Sequence, residues 1–94
     1  MAEANMFELE VITPEEVFLK QEASMVEFNT TEGQIGVYPG HIPLTVIVAP
    51  GVLRIHKGND IKEASLVSGF AEILQNRITI LAEEISWDLE KKEG

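Results

Sequence analysis

Apolar and polar residues alternate along most of this chain. Phe7, Leu9 and Val11 share one parity, with Glu8 and Glu10 on the other. Val26 and Phe28 alternate with Met25, Glu27 and Asn29, and Leu53 and Ile55 are flanked by Arg54 and His56. Ile78 and Ile80 are separated by Thr79. Period two is the signature of a strand with one buried face. Val, Ile and Thr are dense in these runs and fit a pleated surface. The pattern predicts nine strands, over 6–12, 16–22, 24–30, 34–38, 44–48, 52–57, 61–67, 70–74 and 77–82. No helical periodicity occurs before residue 83.

Turn chemistry punctuates the strands at short intervals. Thr13-Pro14 ends the first, and Thr31-Glu32-Gly33-Gln34 suits a hairpin connection. Pro39-Gly40 and Pro50-Gly51 suit type II turns, in which proline sets φ and glycine takes the positive-φ position. Gly58-Asn59-Asp60 and Gln75-Asn76 are further hairpin candidates. Each strand has one apolar face to bury, so the expected fold is all-β. It is a two-sheet antiparallel β-sandwich, or flattened barrel, of about nine to ten strands with a short C-terminal tail. The sandwich is expected over 1–87 and the tail over 88–94. Ser86 or Asp88 could cap a short helix there, before Leu89, Glu90, Lys91 and Lys92.

At 94 residues the chain has room for one domain, and 45% hydrophobic with 24% charged residues is an ordinary globular balance. The absence of cysteine excludes a disulfide scaffold and thiolate chemistry. Lys and Arg number 7 against 16 Asp and Glu, a formal charge of −9. Such a surface repels phosphate backbones and anionic headgroups, which disfavours nucleic acid and direct membrane binding. A basic protein partner suits it. The N-terminal residues carry no cationic segment followed by an apolar run, so a signal peptide is not expected. The uncharged stretch from Gly33 to Leu53 holds three prolines and four glycines, Gly33 included, and is no membrane helix.

No constellation looks catalytic. Ser68-Gly69 lacks the flanks of a nucleophile elbow. Glu15-Glu16 and Glu83-Glu84 are adjacent pairs, which an extended chain turns to opposite faces; they are expected as solvated surface. His41 and His56 with scattered acids show no metal-ligand spacing. Gly33-Gln34-Ile35-Gly36 lacks the lysine of a phosphate loop, and its glycines suit turns. Lys57 lacks the flanking residues of a swinging-arm carrier lysine. No cofactor or metal is expected.

One connection breaks the alternation. Thr31-Glu32-Gly33-Gln34-Ile35-Gly36-Val37-Tyr38-Pro39-Gly40-His41-Ile42-Pro43-Leu44 joins rigid turns to amphipathic rings. It reads either as a tight corner with Tyr38 over the core or as a preorganised contact surface. This string, with its Gly-x-x-Gly-x-x-x-x-His-x-Pro core, closely resembles the signature of the epsilon subunit of F-type rotary ATP synthases. Four further segments resemble that family's strands in order: Phe7 to Pro14, Ala49 to Ile55, Leu66 to Glu72 and Arg77 to Ala82. The resemblance covers roughly residues 6–87, the family's N-terminal β-sandwich.

The resemblance implies a non-catalytic foot of the central stalk. One face would pack on the gamma subunit and one end would rest on the polar loops of the membrane c-ring, coupling ion translocation to ATP synthesis. It implies peripheral association with the cytoplasmic face of a bacterial membrane, through the complex only. His41, Tyr38, Gly40, Thr13 and Val46 fall at gamma-contact positions. Gln34 falls where the family often has a ring-facing glutamate, with Glu32 beside it as a substitute charge. Gly33, Gly36, Pro39, Pro43, Pro50 and Gly51 would shape the turns. Full-length members continue into a pair of helices, and Gly94 falls before that pair, so nucleotide binding is not expected of these residues. The competing reading is a stand-alone β-sandwich that binds a ligand or another protein.

Overall fold

A computed structural model describes residues 5–88. Ten strands run in chain order: β1 Phe7–Ile12, β2 Val17–Ala23, β3 Met25–Thr30, β4 Gly33–Val37, β5 Leu44–Val48, β6 Gly51–Lys57, β7 Asp60–Leu66, β8 Gly69–Ile73, β9 Arg77–Ala82 and β10 Ile85–Trp87. The nine strands expected from alternation are all present, with ends displaced by a residue at most. The tenth is a correction. Ser86 does not cap a helix but lies in β10, where Ile85, Ser86 and Trp87 pair with Leu66, Ser65 and Ala64 of β7. The backbone N–H of Asp88 then donates to the carbonyl of Glu63. Three residues carry too little periodicity to declare a strand, and the free edge of β7 decides their conformation. Leu89 and its followers lie outside the described residues.

The strands divide into two five-stranded layers. One has the order β5-β8-β9-β1-β2, the other β10-β7-β6-β3-β4. The layers join through the single register pair Thr30↔Val48 and the flanking bonds Thr31 N–H to Ile47 O and Ala49 N–H to Asn29 O. All pairings are antiparallel except β1 with β9, which run parallel. Parallel neighbours need a long crossover, and the whole chain between β1 and β9 supplies it.

Inward parity builds one core between the layers. Phe7, Leu9 and Val11 of β1 meet Ile78 and Ile80 of β9, Ala71 and Ile73 of β8, and Val48 of β5. Val26 and Phe28 of β3, Val37 of β4, and Leu53 and Ile55 of β6 face them from the other layer. On the side away from the β3–β5 join, side chains close the sandwich. The Phe18 and Trp87 rings lie 4.9 Å apart at 34°, and Lys62 Nζ sits 5.6 Å from the Trp87 centroid while donating to Gln21. Aromatic area and a cation over the ring seal an edge that no ladder pairs.

Two hairpin ends are set by identifiable devices. The Thr30 hydroxyl donates to Gly33 O at 2.7 Å and accepts from the Glu32 N–H at 3.0 Å. Gly33 follows at φ 120°, which favours glycine. Thr30→Val keeps the shape but loses both bonds, so it should cost about 1–2 kcal/mol. A urea denaturation midpoint unchanged by this substitution would contradict the role. At the β1–β2 turn, the Thr13 hydroxyl accepts from the backbone N–H groups of Glu15 and Glu16.

Candidate functional site

Strand direction sorts the turns to two ends. The β1–β2, β3–β4, β5–β6, β7–β8 and β9–β10 turns share one end; the β2–β3, β4–β5, β6–β7 and β8–β9 connections share the other. The first end gathers Glu15, Glu16, Glu32, Glu83 and Glu84, all exposed. Among the described residues, no Lys or Arg lies in those turns. The adjacent acidic pairs are solvated, as expected, but the topology adds what the sequence could not show: three separate turns bring their glutamates together. Gln34, the second residue of β4, lies beside this end, exposed and paired in register with Asn29.

The second end carries the Tyr38–Pro43 loop. Tyr38 and Ile42 are 60% and 71% exposed, with Leu44 and Leu74 beside them. The Gly40 N–H donates to Gln75 O, tying this loop to the β8–β9 turn. Gly40 has φ 86°, the positive-φ position expected for Pro39-Gly40. The half-buried His41 ring places Nδ1 2.8 Å from Ile42 O. A carbonyl only accepts, so Nδ1 carries a proton in this contact. Tyr38, Gly40 and His41 thus form one surface, with Pro39 and Pro43 in the same loop.

Thr13 lies at the opposite end from His41. Val46 belongs to neither end: its side chain is half-buried against the core, while Thr45 and Ile47 face out. Gly36 lies mid-strand in β4, where a side chain would meet Met25 and Glu27 at ordinary contact distance. Gly51 has φ 154°, and a Cβ there would strike the Asn29 amide, which donates to Pro50 O.

The outer faces of the two layers differ. On the β3–β6–β7 face, Arg54 Nε donates to Glu63 at 2.7 Å, Arg54 lies 3.9 Å from Glu27, and His56 Nε2 lies 3.3 Å from Glu27. Glu63 holds the Arg54 guanidinium even more firmly in its charged form. This face is laced with ion pairs. The opposite face carries an apolar band. Ile47 pairs with Phe70, Phe70 with Leu81, Leu81 with Ile12, and Ile12 with Val17. Five neighbouring strands therefore present one apolar residue each in a row. Ile47, Phe70, Leu81 and Val17 are 55%, 49%, 48% and 54% exposed. Beside the band, Ile12, Thr13, Pro14, Gly69, Leu81, Ala82 and Glu83 line a shallow, open depression. Such an uncovered row on an otherwise acidic domain is the kind of surface that suits a protein partner.

Sequence reasoning missed this band, although its signal was present. Once Ala71 and Ile73 are inward, Phe70 must face out; the same holds for Leu81 between Ile80 and Ala82.

Residues 6–88 match the family described as ATP synthase, Delta/Epsilon chain, beta-sandwich domain. The chain belongs to that family. The epsilon chain of Caldicellulosiruptor saccharolyticus is 38% identical over 81 residues, covering 86% of this chain and 59% of its own length. The Leptospira interrogans epsilon chain is 37% identical over 95 residues, covering 95% of this chain and 75% of its own. The chain thus spans somewhat over half the length of the Caldicellulosiruptor relative. Among solved structures, a chain of the Euglena gracilis mitochondrial ATP synthase, seen by cryo-EM with its c-ring, superposes with a TM-score of 0.84 at 22% identity. That match covers 94% of this chain and 58% of the other. A Tetrahymena thermophila central stalk and c-ring structure gives 0.73 at 17%, covering 85% and 65%. At these identities the likeness is one of fold. The β-sandwich expected from the family resemblance is therefore the fold this chain has.

Proposed function

We propose that this domain is a non-catalytic rotor component of an F-type ATP synthase, seated in the central stalk between the gamma subunit and the c-ring. It couples ion-driven rotation to ATP synthesis elsewhere in the complex and reaches the cytoplasmic face of a bacterial membrane only through that complex. The observation that carries this reading is the family match over residues 6–88. Two surface features support it. The apolar band on the β5–β8–β9–β1–β2 face suits a permanent protein contact, and we assign it to gamma. The acidic turn end suits a basic counterpart, and we assign it to the ring loops.

Within this reading His41, Tyr38 and Gly40 extend the gamma surface at one end, with Thr13 near its other limit. Val46 acts indirectly, by holding Thr45 and Ile47 outward. Glu32 and Gln34 belong to the ring-facing end. Gln34→Glu adds one charge there, so ring association should tighten at low salt and lose that gain at high salt. Exposed pairs contribute about 0–1 kcal/mol, so the gain is about fivefold at most. Co-sedimentation with the c-ring across a salt series checks it; an affinity insensitive to both changes removes the assignment.

The function itself is tested by size-exclusion chromatography with the cognate gamma subunit, with His41→Ala alongside. A one-to-one complex is expected, weakened by His41→Ala. A complex indifferent to His41 moves that contact elsewhere, and no complex overturns the rotor reading.

A further inference from the structure

Strand β4 leaves one edge without a neighbour. Among the described residues it pairs with β3 alone, and β6 lies on the other side of β3. Its five residues, Gly33 to Val37, carry no charge, no proline and no bulge in their register. Natural edge strands usually hold one of those devices, because a bare ladder edge accepts another strand. The other open edges do hold them. β2 carries Lys20 and Glu22 and a register shift against β1. β10 is three residues long, flanked by Glu84 and Asp88. The open part of β5 begins after Pro43 and stands against the β3–β4 turn, whose Thr31 N–H bonds Ile47 O.

The register fixes which groups of β4 point outward. Thr30 and Gly33 face each other across the two-residue Thr31-Glu32 turn, so the bonded pairs are Thr30 with Gly33, Phe28 with Ile35 and Val26 with Val37. The backbone groups of Gln34 and Gly36 are then turned to the free edge. A second copy laid antiparallel about Ile35 sets Gln34 opposite Gly36 and Gly36 opposite Gln34, each such pair exchanging both its backbone bonds. One step further out, Glu32 meets Tyr38 of the other copy at both ends of the pair, a carboxylate beside a phenol that can donate to it. No like charges face each other along this edge. The acidic turn end of each copy lies beside the other's opposite end, where Lys57 and Arg77 offset Asp60 and Glu8. Pairing about the middle of β2 would instead set Lys20 against itself.

We propose that the free subunit pairs with a second copy of itself through β4, edge to edge and antiparallel. The pair covers Gln34 and Tyr38, assigned above to the ring and to gamma, so a subunit outside the complex must leave its twin before it joins. That consequence rests on the rotor reading; the pairing itself does not. At −9 per chain the association is weak and grows with subunit concentration.

Sedimentation equilibrium over a concentration series tests it. The average mass should climb from one chain towards two and stop there, because the contact is self-complementary and closes. Tyr38→Glu puts a like charge opposite Glu32 twice per pair and should weaken the association about tenfold at low salt. Tyr38→Lys should tighten it, and Glu32→Lys added to Tyr38→Glu should restore it. Tyr38 is 60% exposed, so these substitutions spare the core. Ile61→Asp adds the same charge on the ion-paired face, away from the edge, and should change little. Gamma added to the paired protein should yield the one-to-one complex and no species with two copies of this chain.

A mass that stays at one chain throughout overturns the proposal. So does an association indifferent to the charge at position 38, or one that runs past two copies. A gamma complex that retains two copies overturns the masking of Gln34 and Tyr38. In each of these cases the rotor reading stands. No complex with gamma, while the charge series behaves as expected, overturns the rotor reading and leaves the pairing.

Discussion

Gly69→Ala should be among the most damaging single-methyl additions in this domain. A Cβ at Gly69 would overlap the carbonyl oxygen of Leu81, 2.9 Å from its carbonyl carbon and 3.0 Å from Ala82 Cα. All three are backbone atoms, so no rotamer change relieves the clash. Relief requires prising β8 away from β9 where Gly69 pairs with both Ala82 and Val48. The neighbouring bond from Glu83 N–H to Ser68 O would be disturbed with it. Overpacking of this kind costs about 3 kcal/mol. For a domain of this size that lowers Tm by about 12 °C or more. Gly58→Ala is the control. Gly58 has φ 63° with open space around it, so it carries only the left-handed penalty of about 1–2 kcal/mol. Comparable losses at the two positions in a calorimetric scan would show that β8 and β9 are not in the tight register described.

Phe28→Ala is the second large effect. Phe28 heads the fully buried side chains by volume. Its strand, β3, is the hub of the fold: it pairs with β4 and β6 and supplies the one register pair that joins the layers. Truncating a buried phenylalanine costs about 3–5 kcal/mol, since the lost transfer energy is compounded by a cavity. Domains of this length hold about 5–14 kcal/mol in total, so the variant should be marginal. Phe70→Ala removes the same ring from a half-exposed site and should cost far less. Equilibrium denaturation in urea separates them: the Phe28 midpoint should fall steeply at unchanged slope, and the Phe70 midpoint little. Equal losses would mean that the inward and outward parities have been misassigned.

Most of the fold was legible because alternation is a local signal. The inward sets Phe7-Leu9-Val11, Val26-Phe28, Leu53-Ile55 and Ile78-Ile80 could be read without knowing any strand's neighbour, and all are buried. Pairing is not local, so the parallel union of β1 and β9 left no trace in the pattern. The same gap hid both surface features. Glu15-Glu16, Glu32 and Glu83-Glu84 are far apart in sequence, and only the up-and-down course of the strands gathers them at one end. The apolar band needs four interstrand registers before it exists as a row.

The candidate residues fared unevenly for similar reasons. Tyr38, Gly40 and His41 are contiguous and stayed together. Thr13 lies at the other end of the sandwich, its hydroxyl engaged with the turn it starts. Val46 sits on the inward parity of β5, which its neighbours Thr45 and Ile47 escape.

The central claim is that the gamma subunit covers the apolar band. Isothermal titration of gamma into this protein at several temperatures tests it most directly. The account predicts one-to-one binding with a negative heat-capacity change, because apolar surface leaves water, and loss of that binding in Phe70→Asp but not in Ile61→Asp. Binding with no heat-capacity change, or binding that survives Phe70→Asp and fails with Ile61→Asp, would contradict it.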